Sequence, residues 1–183
     1  MMLTILIILC LGTSFYAGYR RGLMLQLVYG LGYVASFVVA QSQYKALGKK
    51  LELLVPYPAP TEKTSLVLFD KNLIFDLDKA FYAGFAFILI VFIGWLLTRF
   101  VGMLCYGLTF RPVIQKGNDL AGGVLNALLT VVGLTLCLTL LAMVPLDFIQ
   151  NLFKKSSLAR FLVDSTPIIS NLLHNWWITK IIL

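Results

Sequence analysis

Few residues in this chain have the types and spacing to do chemistry. His174 is the single histidine and lies near the C-terminus. A nucleophile–base–acid triad would have to be built on it, beside Trp176 and Trp177, and a headgroup-facing imidazole is the plainer reading. The eight carboxylates, Glu52, Glu62, Asp70, Asp76, Asp78, Asp119, Asp147 and Asp164, lie outside the segments read below as spans. A proton- or sodium-coupled transporter keeps a carboxylate or histidine at mid-membrane, so this distribution disfavours a pump. A channel stays open, because backbone and hydroxyls can line a pore. Its candidate polar line is Ser14, Gln26, Ser36, Thr98, Asn126 and Thr130. Asp76 and Asp78 form a DxD pair without evident further ligands, and carboxylates just before an apolar helix suit its N-terminus. The chain contains no HExxH, no GxxxxGKS/T and no GxSxG. No catalytic residue, cofactor or metal is expected.

Two further residue types carry a choice. Arg99 is the one charge inside a long apolar stretch. It is either an intramembrane anchor or a guanidinium that snorkels from the end of a span, and the second is favoured because the apolar run before it is already long enough to cross. Cys10, Cys105 and Cys137 lie in or beside apolar runs without paired spacing. There they act as small apolar residues, not as a disulfide framework.

The elements that position these residues follow from composition. Of 183 residues, 60% are apolar and 13% charged. A soluble domain is about a quarter charged, so the excess apolar surface requires lipid. The net charge of +7 would suit nucleic acid in a soluble chain. Here the basic residues flank apolar runs and face headgroups instead, and no nucleic-acid partner is expected.

A span needs roughly 20 apolar residues, and four segments qualify, at about 2–19, 23–41, 80–98 and 120–146. Arg20, Arg21 and Gly22 alone separate the first two, which predicts a tight helical hairpin. The first segment lacks a basic region before its apolar stretch and is kept as a span, not a signal peptide. Pro145 marks the end of the fourth. The expected fold is all-α: a four-helix transmembrane bundle with interfacial amphipathic helices, over residues 1–146.

In the loop 42–79, Tyr44, Leu47, Leu51 and Leu54 share a helical face and predict a short interfacial helix. Pro56, Pro58 and Pro60 then predict extended chain. The tail, 147–183, is amphipathic. Phe148, Ile149, Leu152 and Phe153 share one face, and Leu158, Phe161 and Leu162 another. Thr166 and Pro167 read as an N-cap and first helical position. They would start a surface helix with Ile168, Ile169, Leu172, Leu173 and Trp176 on one stripe. Trp176 and Trp177 are expected as headgroup anchors.

Small residues recur where helices would touch: Gly94, Thr98 and Gly102; Gly122, Asn126 and Thr130, with Gly123 and Ala127 beside them; Gly32, Ser36 and Ala40. Such stripes let backbones approach closely in lipid, and Asn126 could add an interhelical hydrogen bond. Topology is less direct. The hairpin side carries five basic residues, Arg99 included, and the side of the termini and long loop ten. The hairpin's two arginines are nevertheless the densest cluster, so the positive-inside rule does not decide between the sides.

Arg21, Gly22 and Leu23 between the first two spans resemble the start of the colicin V production (CvpA-type) family. So do Asn118, Asp119, Leu120, Ala121, Gly122 and Gly123 opening the fourth span, and Ser157, Leu158 and Phe161 after it. The resemblance runs from about Leu3 to Ile169. The loop before the third span is longer than in compact members, and Leu23 stands where Phe is commoner. The resemblance implies a bacterial inner-membrane protein for toxin production or export, or for envelope homeostasis, and does not itself define a molecular activity; the reading adopted is a non-enzymatic accessory or scaffold. The alternative is a small-solute channel or uncoupled transporter, and an enzyme acting on lipid is the weakest reading. Some relatives place a secreted protease after the four spans. This implies that both termini lie outside, with Arg20 and Arg21 in the cytoplasm; no protease activity is carried over. Membrane lipid, export or envelope proteins and a second copy of the chain are the expected partners.

Overall fold

The computed structural model describes residues 2–58, 66–69, 73, 76–110, 113 and 117–182. Pro60, Glu62, Lys63, Asp70, Lys71, Arg111 and Lys116, which entered the loop and charge readings, lie outside the described residues. The fold is all-helical. The long helices are α1 (Met2–Leu51), α2 (Leu77–Leu104) and α3 (Asn118–Ala142), with a 3-10 turn at Tyr106–Phe110 between α2 and α3. They are followed by α4 (Asp147–Lys154), α5 (Ser157–Ser165), α6 (Ile169–Leu173) and a π-helix at His174–Thr179. Among the described residues three helices, α1 to α3, are long and apolar enough to cross a membrane.

The predicted separation of the first two spans appears as a single non-helical residue inside α1. Gly22 has φ 73° and ψ 168°, a backbone state nearly reserved for glycine. Ser14 and Gln26 would lie about 18 Å apart on one straight helix, yet both bond the side chain of Asn126. The chain therefore doubles back at Gly22, and α1 is two helical halves. The second half does not stop at residue 41. It continues to Leu51, so the expected separate interfacial helix is an extension of it. Tyr44 and Leu51 on the expected face are buried, while Leu54 is exposed beyond the helix end. Helix α2 runs through Arg99 to Leu104, so Arg99 is not at a helix end.

The chain divides into two compact units. One comprises Ile8–Ser42 and Leu89–Gly133; the other comprises Met1–Ile7, Gln43–Ile88 and Leu134–Leu183.

In the second unit α3 stops at Ala142, before the expected end at residue 146. The residue ahead of Pro145 is biased away from helix, and Gln150 supplies what the lost turns would have. Its amide donates to the carbonyls of Ala142 (3.1 Å) and Val144 (2.9 Å) and accepts from the Val67 N–H (3.0 Å). Asp76 and Asp78 flank the start of α2, both engaged by Lys79. Asp76 forms an ion pair with the ammonium at 2.9 Å, and Asp78 accepts from the Lys79 backbone N–H at 2.7 Å.

The tail departs most from the sequence reading. Thr166 is not an N-cap. It closes α5 in extended conformation, and its hydroxyl lies 3.1 Å from that of Thr135. The next helix starts only after Ile168, which has φ 68° and ψ −52°, with the Ile169 N–H bonded to the Pro167 carbonyl at 2.7 Å. That is the rarer, strained form of the γ-turn. Trp176 and Trp177 are corrected from headgroup anchors to core residues, for both are buried and Trp177 is fully so. Their rings pack on Phe87 with centroids 6.0 and 5.7 Å away, and Tyr44 donates to the Trp176 carbonyl at 3.0 Å. The wider π-helix, closed by an i→i+5 bond from Lys180 to Asn175, places three consecutive residues, Trp176 to Ile178, in the interior.

Candidate functional site

In the unit of Ile8–Ser42 and Leu89–Gly133, the small-residue stripes meet one another. A Cβ on Gly32 or Gly94 would collide with Thr98 or Ser36 respectively, and one on Gly102 would collide with the Tyr29 ring. The stripe on α2 therefore lies against the 23–51 half of α1, running antiparallel to it. Thr98 and Ser36 turn their hydroxyls onto their own helices, donating to the Gly94 and Gly32 carbonyls at 2.7 Å each. On α3, a Cβ at Gly122 would lie 2.7 Å from the Gly22 carbonyl carbon, and one at Gly123 would lie 2.9 Å from the Phe15 ring.

One turn further along α3, Asn126 joins both halves of α1. Its Oδ1 accepts from Gln26 Nε2 at 2.9 Å, and its Nδ2 donates to the Ser14 carbonyl. Gln26 is fully buried and Asn126 nearly so. Thr130 donates back to the Asn126 carbonyl at 2.8 Å. The polar side chains that could have lined a pore thus meet in two groups, and most of their hydrogen bonds close onto helix. Both amide atoms of Asn126 are bonded across helices, and such bonds favour one packing in an apolar medium.

Sequence reasoning missed Gly18, where a Cβ would clash with Asn126 and the Gly122 backbone. The signal was present, since Gly18 and Gly22 make a GxxxG pair. It also missed Tyr29, buried within a run of aromatic and apolar residues that gives no hint of its neighbours. Arg99 and Arg21 both stand over Tyr29, at 4.9 and 5.3 Å from the ring centroid.

The other unit has its own recess, of about 130 Å³, with Thr139, Asp164, Ser170, Asn171 and His174 among its lining residues. This gathers the only histidine, a carboxylate and a hydroxyl. Partial burial pushes the Asp164 carboxyl above its usual range, against the opposing charge of Arg160. The three do not form a relay: the Ser170 hydroxyl is directed at the Leu162 carbonyl, 3.5 Å away, and not at His174. Among the described residues no group of three or more histidine, cysteine or carboxylate side chains could hold a metal ion.

Two sequence elements meet at the turn of α1. Asn118 Nδ2 lies 2.6 Å from where a Gly22 Cβ would be, and Asp119 Oδ1 lies 3.8 Å from it. Asn118 also accepts from the Val113 N–H at 3.1 Å. Arg21 and Gly22 are thus brought to the Asn118–Gly123 start of α3. These are the elements that carry the family resemblance, and the family model for the colicin V production protein matches residues 3–167. The chain belongs to the colicin V production protein family. An uncharacterized transmembrane protein, YshB, of Bacillus subtilis (strain 168) is 31% identical to it over 176 residues, 94% of each chain. No solved structure matches. With a transmembrane relative and three long apolar helices, this colicin V production family protein is a multi-pass membrane protein.

Proposed function

We propose that the protein is a non-enzymatic accessory or scaffold of the bacterial cytoplasmic membrane. It would serve toxin production and export or envelope homeostasis, with export or envelope proteins as partners and both termini outside. The observation that carries this reading is the use made of polar groups within the long helices. Asn126 accepts from Gln26 and donates to the Ser14 carbonyl, which suits a closed, shape-specific bundle better than a water-filled path. A channel reading draws on one atom, the buried Gln26 Oε1, which has no hydrogen-bond partner.

The test is a deletion strain screened for sensitivity to envelope stress and for toxin release. Complementation by the intact gene is expected to restore both, and so is complementation by His174→Ala or Asp164→Asn. Gly122→Leu is expected to fail. Loss of complementation by His174→Ala at normal protein levels would favour chemistry in the tail recess instead. Solute flux through liposomes containing the purified protein, abolished by Gln26→Leu, would favour the channel.

A further inference from the structure

The two arginines over Tyr29 call for a counter-charge that no neighbouring side chain among the described residues supplies. Arg21 is beside the Gly22 break, and Arg99 is five residues from the end of α2. Both are half-buried. Arg99 also packs on Trp95, 5.3 Å from its centroid, and its charge is close enough to act on Arg21. Like charges brought together in a drier medium repel more strongly than in water. Aromatic faces offset part of this through their quadrupoles but supply no net negative charge. Among the described residues the single ion pair is Lys79 with Asp76. Asp119 faces Gly22 yet forms no ion pair with either arginine. Nη1 of Arg21 and Nε of Arg99 are buried without a hydrogen-bond partner, although neither residue is buried as a whole.

The geometry points to a phosphate-binding clamp formed by Arg21 and Arg99 on the Tyr29 platform. A phosphate oxyanion supplies the missing charge and accepts from guanidinium forks, which match its oxygens bidentately. Arg99 lies about 8 Å along the helix from its end, a distance its side chain narrows by snorkelling. A lipid headgroup and free phosphate both present this chemistry at that level. The clamp is independent of the scaffold reading, since it would serve a channel or an enzyme equally.

The experiment uses the full-length protein in a neutral detergent and follows its thermal midpoint with three additives: phosphatidylglycerol, inorganic phosphate and uncharged diacylglycerol. A rise with phosphatidylglycerol but not diacylglycerol is expected. Arg21→Gln and Arg99→Gln should each raise the half-saturating concentration about tenfold or more, while Arg20→Gln should leave it within about twofold. Lysine at either position, keeping charge but losing the fork, should give an intermediate value. A rise with phosphatidylglycerol alone assigns a lipid source. An equal rise with inorganic phosphate assigns a soluble one, and both support the clamp. No rise with either phosphate, an equal rise with diacylglycerol, or unchanged half-saturation in both glutamine variants would overturn it. Where a glutamine variant does not fold, the lysine variant at the same position carries the comparison: half-saturation equal to the wild type at both positions would overturn the clamp.

Discussion

Asn126 bonds a side chain on one half of α1 and a backbone carbonyl on the other, so its removal is felt by three helical segments. Asn126→Ala leaves Gln26 Nε2 buried without its acceptor, at a cost of about 1–3 kcal/mol, read as a lower thermal midpoint in detergent. Replacing both partners, as Gln26→Leu with Asn126→Leu, should recover much of that loss, because two apolar groups leave nothing unpaired. A double-mutant cycle should return a coupling of roughly 0.6–1.7 kcal/mol, and additive losses would mean that the bond does not matter. The sequence made Asn126 legible, since an amide in an apolar run needs a partner. The Ser14 carbonyl was not legible, because a backbone acceptor leaves no mark in residue type. Asp164 gives a second prediction at this scale. Its folded carboxyl holds a proton more tightly than the ordinary value of 3.8, so its stabilising contribution is present below that pH and is lost as pH rises through the folded pKa. The thermal midpoint of the wild type should therefore fall relative to Asp164→Asn as pH rises above the ordinary carboxyl value. Parallel profiles would place the carboxyl in ordinary solvent.

Helices α2 and α3 were read from the sequence to within several residues, because long apolar runs and flanking charges mark a span directly. Small-residue stripes were equally legible as contact faces, but which stripe met which was not. The tail was the hardest element, since neither a strained turn at Ile168 nor a π-helix has a periodicity signature, and amphipathic spacing does not distinguish burial in lipid from burial on Phe87. Ile168 is largely exposed, so Ile168→Gly sacrifices little packing and relieves a positive φ. It should raise the thermal midpoint by the equivalent of about 1 kcal/mol. A decrease would mean that the turn is held by the isoleucine itself. Leu172→Glu with Trp176→Glu should expose the tail to protease while α1 to α3 stay inserted, because charge is brought against Phe87 and the Tyr44 bond to the Trp176 carbonyl is disturbed. At the helix contacts, Gly122→Leu should cost roughly 1–3 kcal/mol by overpacking. Gly133→Leu, where a Cβ meets nothing within 4 Å, should be neutral. Equal stability of the two would remove Gly122 from the interface.

For the whole molecule, the break at Gly22 divides the first of the three long apolar helices into two halves, and the proposal is that each half crosses the membrane separately, giving four crossings. An even number of crossings would return the C-terminal tail to the side on which the chain starts. Charge arithmetic could not choose that side, because the hairpin is dense in arginine while the opposite side carries more basic residues in total. The topology proposed here places the hairpin in the cytoplasm and the tail outside, where the chain could engage export or envelope proteins. The most direct test is cysteine labelling in intact cells, in a background lacking Cys10, Cys105 and Cys137. Single cysteines are placed by Arg20→Cys and Lys154→Cys, both at exposed positions, and treated with a membrane-impermeant maleimide. The Lys154→Cys protein should label in intact cells, and the Arg20→Cys protein only after permeabilisation. The reverse pattern would contradict the orientation, and labelling of both from the same side would contradict the four-crossing chain.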